Sequence, residues 1–109
     1  PKTVVICDWH YEKAIPTPAY FSLKGFEVVA CSWRKPEVTM NQVHMMQNFR
    51  NNTSPEMSER FLGVMHTYWS SAKSFMDKFK EEASLPNENG NEVACFKEMV
   101  KTVKSLNKK

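Results

Sequence analysis

The sequence predicts an α/β fold in which three parallel β-strands alternate with helices and an extra helix follows at the C-terminal end. Three observations carry that prediction. Apolar or β-rich runs at Thr3–Trp9, Phe26–Ser32 and Phe61–His66 read as strands, and the continuous Val4-Val5-Ile6-Cys7 stretch suits a parallel strand covered on both faces. Between and after them, apolar residues recur three or four apart, as on helices. The connections are short, so right-handed crossovers would bring the strands into one parallel sheet.

Each element has its own local cause. After the first strand, Pro16 and Pro18 mark a turn, with Thr17 expected as N-cap and Pro18 as the first residue of a short helix, 18–24. Gly25 closes that helix because glycine takes positive φ at little cost. Met40, Val43, Met46 and Phe49 are three apart and predict a helix over 39–50. Ser54-Pro55-Glu56 looks like the start of a helical turn before the third strand. A helix over 71–83 is expected to bury Ala72, Phe75, Met76 and Phe79. A polar loop, 84–91, with Pro86 and Gly90, precedes a last helix built on Val93, Phe96, Met99, Val100, Val103 and Leu106.

At 109 residues the chain has room for one domain, and no linker divides it. No apolar run approaches the roughly 18 residues that span a bilayer, so no membrane partner is read. The chain opens on Pro1 almost inside a strand, which suits a piece of a larger protein and equally a chain that lost its initiator methionine; no signal peptide is visible. The net charge is +3, and the basic cluster Lys97, Lys101, Lys104, Lys108 and Lys109 reads as a solvated helix face. Aromatic residues do not interleave with these lysines, which argues against a nucleic-acid partner. Cys7, Cys31 and Cys95 match no zinc or redox spacing and are expected to be buried free thiols.

The functional signal is a repeated strand ending. The three strands close as Asp8-Trp9-His10, Ser32-Trp33-Arg34 and Tyr68-Trp69-Ser70, so every tryptophan ends a strand. In a parallel α/β fold the carboxyl ends of neighbouring strands share one rim, where ligands bind. Trp9, Trp33, Trp69, Tyr11 and Tyr68 would then converge. Sugars expose patches of C–H beside hydroxyls, so indole faces stack on them while polar neighbours fix their orientation. Asp8, His10, Glu12 and Arg34 are those neighbours, with Ser70 beside them. The competing reading of each tryptophan is a large core residue.

Asp8 and Glu12 come from one strand end and its loop, whereas the working carboxylates of glycosidases flank the bond at about 5 to 9.5 Å. Hydrogen bonds to ligand hydroxyls, or pairing with Arg34, are the better roles for them. His10, His44 and His66 have no metal-site spacing, and no cofactor is implied. His44 is expected to be exposed on its helix, and His66 to be a hydrogen-bonded core histidine. The Asn51-Asn52-Thr53 sequon carries little information.

Cys7-Asp8-Trp9-His10-Tyr11-Glu12, Lys24-Gly25-Phe26-Glu27-Val28-Val29 and Cys31-Ser32-Trp33-Arg34-Lys35-Pro36 resemble the last barrel strands of family 20 hexosaminidase-like glycoside hydrolases. Gly63 to Ser71, with Tyr68-Trp69-Ser70, is similar to that family's final strand, and the likeness spans roughly residues 3 to 80. The resemblance implies the C-terminal portion of a TIM (β/α)8 barrel: residues 1–83 would be its last βα units and 91–107 the extra helix. It further implies an N-acetylhexosamine-type sugar held in an aromatic box, cleaved with help from its own acetamido group, and a periplasmic or extracellular location. Trp9 and Trp69 match aromatic-box tryptophans. The catalytic Asp-Glu pair belongs to an earlier strand, so the chain alone is expected to be inactive. Two positions depart from the pattern: Ser71 stands where the family has glutamate, and Ser32-Trp33-Arg34 replaces the usual Tyr and Asp.

Two other functions compete with this one. The first is a self-contained α/β interaction or regulatory module with its tryptophans in the core. The second is an enzyme with a Cys7 or Cys31 nucleophile, although no histidine neighbours either thiol in sequence. An isolated three-stranded sheet leaves two edges and an apolar face open, so either helices cover both faces, the rest of a barrel covers one, or the piece self-associates.

Overall fold

The computed structural model describes residues 3–81 and 92–107. Its elements are β1 (Val5–Asp8), α1 (Thr17–Leu23), β2 (Glu27–Ser32), α2 (Pro36–Asn52), α3 (Pro55–Ser58), β3 (Phe61–His66), α4 (Ala72–Glu81) and α5 (Glu92–Asn107). The strands form one open sheet in the order β1-β2-β3, with both pairings parallel. Strands and helices alternate as the apolar runs predict. The 84–91 loop, Ala83, Lys108 and Lys109 lie outside the described residues.

Register sets which side chains meet the helices. Asp8 lies opposite Ala30 and Ser32 opposite His66, so β2 and β3 end level and β1 stops two residues short of them. Val28 pairs with Phe61 but Val29 pairs with Gly63, which leaves Leu62 as the extra residue of a bulge. Gly63 has φ +136°, and a Cβ there would meet nothing within 4 Å, so backbone conformation rather than space demands glycine.

Val28, Ala30 and Phe61 form the core with Met46, and Ile6 and Val64 pack beside them. Ala19 and Phe21 of α1, Met45 and Phe49 of α2, and Met57 of α3 complete this layer. The opposite sheet face is open along its edge strands, where Val5 is 40% exposed, Met65 is 42% exposed and Cys7 is exposed, while Cys31 on the central strand is buried. This corrects the two-sided cover that the Val4–Cys7 run suggests. Two crossovers of one hand, stepping in one direction along the sheet, put both connecting helices on the same side.

Other boundaries shift for local reasons. Pro36 occupies the first position of α2, so that helix runs three residues earlier than its apolar periodicity and extends to Asn52. Thr17 does not cap α1; Pro16 is the N-cap residue without a side-chain bond, and the Thr17 hydroxyl is drawn to the Asp8 carboxylate. Ser54 does cap α3, accepting from the Met57 amide at 3.3 Å.

Helix α4 buries less than its pattern suggests. Ala72 is exposed, Met76 is 50% exposed and Phe79 is at the edge of exposure, because α4 lies on α5 rather than on the sheet. Only Phe75 makes a deep contact, edge-on to Phe96 at 5.5 Å. Helix α5 packs on α2 and buries Val93, Ala94, Cys95 and Thr102. Lys101 and Lys104 are exposed, while Lys97 folds over the Phe79 ring at 4.0 Å instead of standing free in solvent. No described helix is long and apolar enough to cross a membrane.

Candidate aromatic rim

The strand ends converge around Tyr11. Its ring centroid lies 5.7 Å from Trp9, 5.4 Å from Trp33 and 6.5 Å from Trp69, so one ring touches the endings of all three strands. The shared carboxyl-end rim of a parallel sheet makes this possible. Trp9 and Trp69 are each 66% exposed, far too open to serve as core residues. Trp33 is half-buried, and the Arg34 guanidinium stacks 4.5 Å from its ring.

A polar lattice holds these rings. Thr67 Oγ1 donates to the Ser32 carbonyl at 2.7 Å, accepts from the Trp69 indole N–H at 3.2 Å and lies 3.3 Å from the Tyr11 hydroxyl. Glu92, the first residue of α5, accepts through Oε2 from the Trp33 indole N–H at 2.6 Å and from the Trp69 backbone N–H at 3.2 Å. Both residues are absent from the sequence-derived set. Thr67 had a signal in its place between β3 and Trp69. Glu92 had none, because 59 residues separate it from Trp33 and only a first-turn glutamate is legible there.

The predicted polar neighbours divide into two groups. Asp8 is buried on the helix side of β1, where its carboxylate accepts from the Thr17 hydroxyl and from His10 Nδ1, the latter at 2.5 Å. With Nδ1 held against the carboxylate, the other imidazole nitrogen points away from it. Asp8 therefore orients His10. A hollow of about 380 Å³ lined by Asp8, Trp9, His10 and Phe21 opens beside them. Glu12 pairs with Lys35 and lies 3.8 Å from Arg34. The hydrogen bond from Lys35 holds the Glu12 carboxyl below its ordinary 4.5.

Tyr68 does not join the Tyr11 cluster. It packs edge-on against Phe75 at 5.1 Å, and its hydroxyl pairs with Ser74 at 2.9 Å, because the chain turns there into α4. Ser70 is exposed, and Ser71 caps α4 by accepting from the Ser74 amide at 3.0 Å.

Below the rim lies a buried polar layer. His66 Nδ1 is 3.3 Å from Ser32 Oγ, while its Nε2 is buried without a hydrogen-bond partner among the described residues. Burial lowers its pKa from the ordinary 6.5, against a smaller opposing pull from Glu92. His44 is exposed on α2. Cys95 contacts the Thr39 hydroxyl at 2.7 Å, and burial pushes its thiol pKa up. Burial and the neighbouring Cys7 thiol push Cys31 up to about 12. Cys7 departs from the expectation of three buried thiols because its side chain lies on the open sheet face.

Cys31 lacks the lowered pKa of a nucleophile, since burial raises it instead. Among the described residues, no group of three or more histidine, cysteine or acidic side chains gathers to hold a metal ion. A second hollow, of about 560 Å³, lies between α2, β3 and α5; its floor is apolar, with Val43, Met46, Val64 and Val103, and Gln47, Arg50, Lys104 and Asn107 also line it. Compared with known protein families and with curated proteins, the chain matches no family profile and no curated sequence.

Proposed function

We propose that this chain is the C-terminal part of a (β/α)8-barrel glycoside hydrolase that cleaves N-acetylhexosamine-type glycosides, and that its rim forms the aromatic wall of a sugar subsite. The resemblance of its strand endings to family 20 suggests the barrel and the sugar. The catalytic Asp-Glu pair of that family has no counterpart in these residues, so this part binds and orients rather than cleaves.

The single observation behind the sugar reading is the contact of Tyr11 with all three strand-end tryptophans, two of which stay two-thirds exposed. The exposed indole faces of Trp9 and Trp69, the latter held by a hydrogen bond from its ring N–H, can stack on the C–H patches of a pyranose, and the surrounding hydroxyl, guanidinium and carboxylate groups can address its hydroxyls. The barrel reading draws on the 1-2-3 order, the parallel strands and helices confined to one face, as in a barrel wall whose inner face meets further strands.

The test is calorimetric or NMR titration of the 109-residue chain with N,N′-diacetylchitobiose. Saturable binding that Trp9→Ala and Trp69→Ala each weaken about tenfold, the size of one stacking contact of ~1.4 kcal/mol, is expected. Wild-type affinity in both folded variants would end the proposal.

A further inference from the structure

We propose that Glu92 is the polar anchor of the rim, setting the angle of the Trp33 indole with one carboxylate oxygen and accepting a ligand hydroxyl with the other. This assignment rests on the sugar-subsite reading above and adds a residue from a helix outside the strand endings.

The argument begins with how the carboxylate is used. An ionised carboxylate offers about four lone-pair sites on two oxygens. Both hydrogen bonds to the rim, from Trp33 Nε1 and from the Trp69 amide, go to Oε2. Oε1 has no hydrogen bond among the described residues, and it is not among the buried unpartnered side-chain atoms there, which are Gln42 Oε1 and His66 Nε2 alone. It belongs to a half-buried residue beside two tryptophans.

Burial and charge sharpen the point. Glu92 is half-buried, and its carboxylate pulls the pKa of the His66 ring upward against the larger effect of burial. Arg34 and Lys35 are both engaged with Glu12, and among the described residues no ion pair includes Glu92. A carboxylate held in place by two N–H donors is preorganised, and its free oxygen forms the charge-assisted bond that a neutral sugar hydroxyl seeks. The ligand class that fits is a neutral carbohydrate stacked on Trp33 and Trp69 with a hydroxyl directed at α5.

The indole N–H of Trp33 reports the positioning half directly. Its ¹H–¹⁵N resonance should carry the downfield shift of a short bond to a carboxylate and should move upfield in Glu92→Ala. Titration with N,N′-diacetylchitobiose reports the binding half: Glu92→Ala and Glu92→Gln should each weaken binding by about tenfold or more, the range for a hydrogen bond to a charged group. If Glu92→Ala does not fold, Glu92→Gln carries the test alone, since it keeps the shape and removes the charge. Affinity within twofold of wild type in the folded glutamine variant, with Trp9→Ala weakening binding about tenfold, would overturn the anchor while leaving the sugar site standing. No binding by the wild-type chain would remove both.

Discussion

Gln42, buried on α2, donates from its side-chain amide to the Cys31 carbonyl at 3.0 Å and to the His10 carbonyl at 3.2 Å. One side chain thus ties the helix layer to the end of β2 and to the loop that carries Tyr11. Gln42→Ala should lower stability by about 1 to 3 kcal/mol, because it strands acceptors away from water. Urea denaturation checks this, and an unchanged midpoint would show that the two carbonyls find other donors.

Acid should destabilise the protein through His66. Its folded pKa lies below the ordinary 6.5, so below that pH the unfolded chain takes up a proton that the buried ring refuses. Stability is full above about pH 6.5 and falls as pH drops from there toward the depressed folded pKa. Urea midpoints at pH 7.5 and 5.5 should differ in wild type, and His66→Asn should flatten the slope.

Alkylation should separate the three thiols. Cys7 is exposed, whereas Cys31 and Cys95 are buried with raised pKa values, Cys31 to about 12. At pH 8 iodoacetamide should label one cysteine per native chain, at Cys7, and all three in denaturant. The sign for stability follows: between the ordinary 9.0 and about 12, the unfolded thiol of Cys31 ionises while the folded one does not, so stability declines as pH rises through that window. Rapid native labelling of Cys31 would contradict the burial assigned to it.

The open sheet face should drive association of the 109-residue chain. Val5 and Met65 lie exposed on it, and β1 and β3 are both unpaired edges. Light scattering should show concentration-dependent oligomers, shifted toward monomer by Met65→Lys. A monodisperse wild-type monomer at high concentration would argue that water covers this face.

Much of the fold was legible from local pattern. The Phe61–His66 run coincides with β3, and Gly25, at φ +96°, ends the first helical unit as its chemistry requires. Legibility failed wherever the answer depended on a distant partner. Met76 is half exposed despite an apolar stripe on α4, since periodicity shows that a helix has an apolar face but not what it meets. Thr17 had the chemistry of a cap, yet the buried carboxylate of Asp8 competes for its hydroxyl. At the rim, the tryptophans stood out through the repeated strand ending. Tyr68, one residue before Trp69, was indistinguishable from Tyr11 until the turn into α4 carried it away.

The bond between Trp33 and Glu92 has a kinetic consequence. It closes a loop of 59 residues, so the ordering entropy of that span must be met before the contact forms. The sheet can assemble from neighbouring segments earlier than its binding lip can. During refolding, the backbone signal should mature before tryptophan emission reaches its native value, and the lag between them measures how late α5 docks.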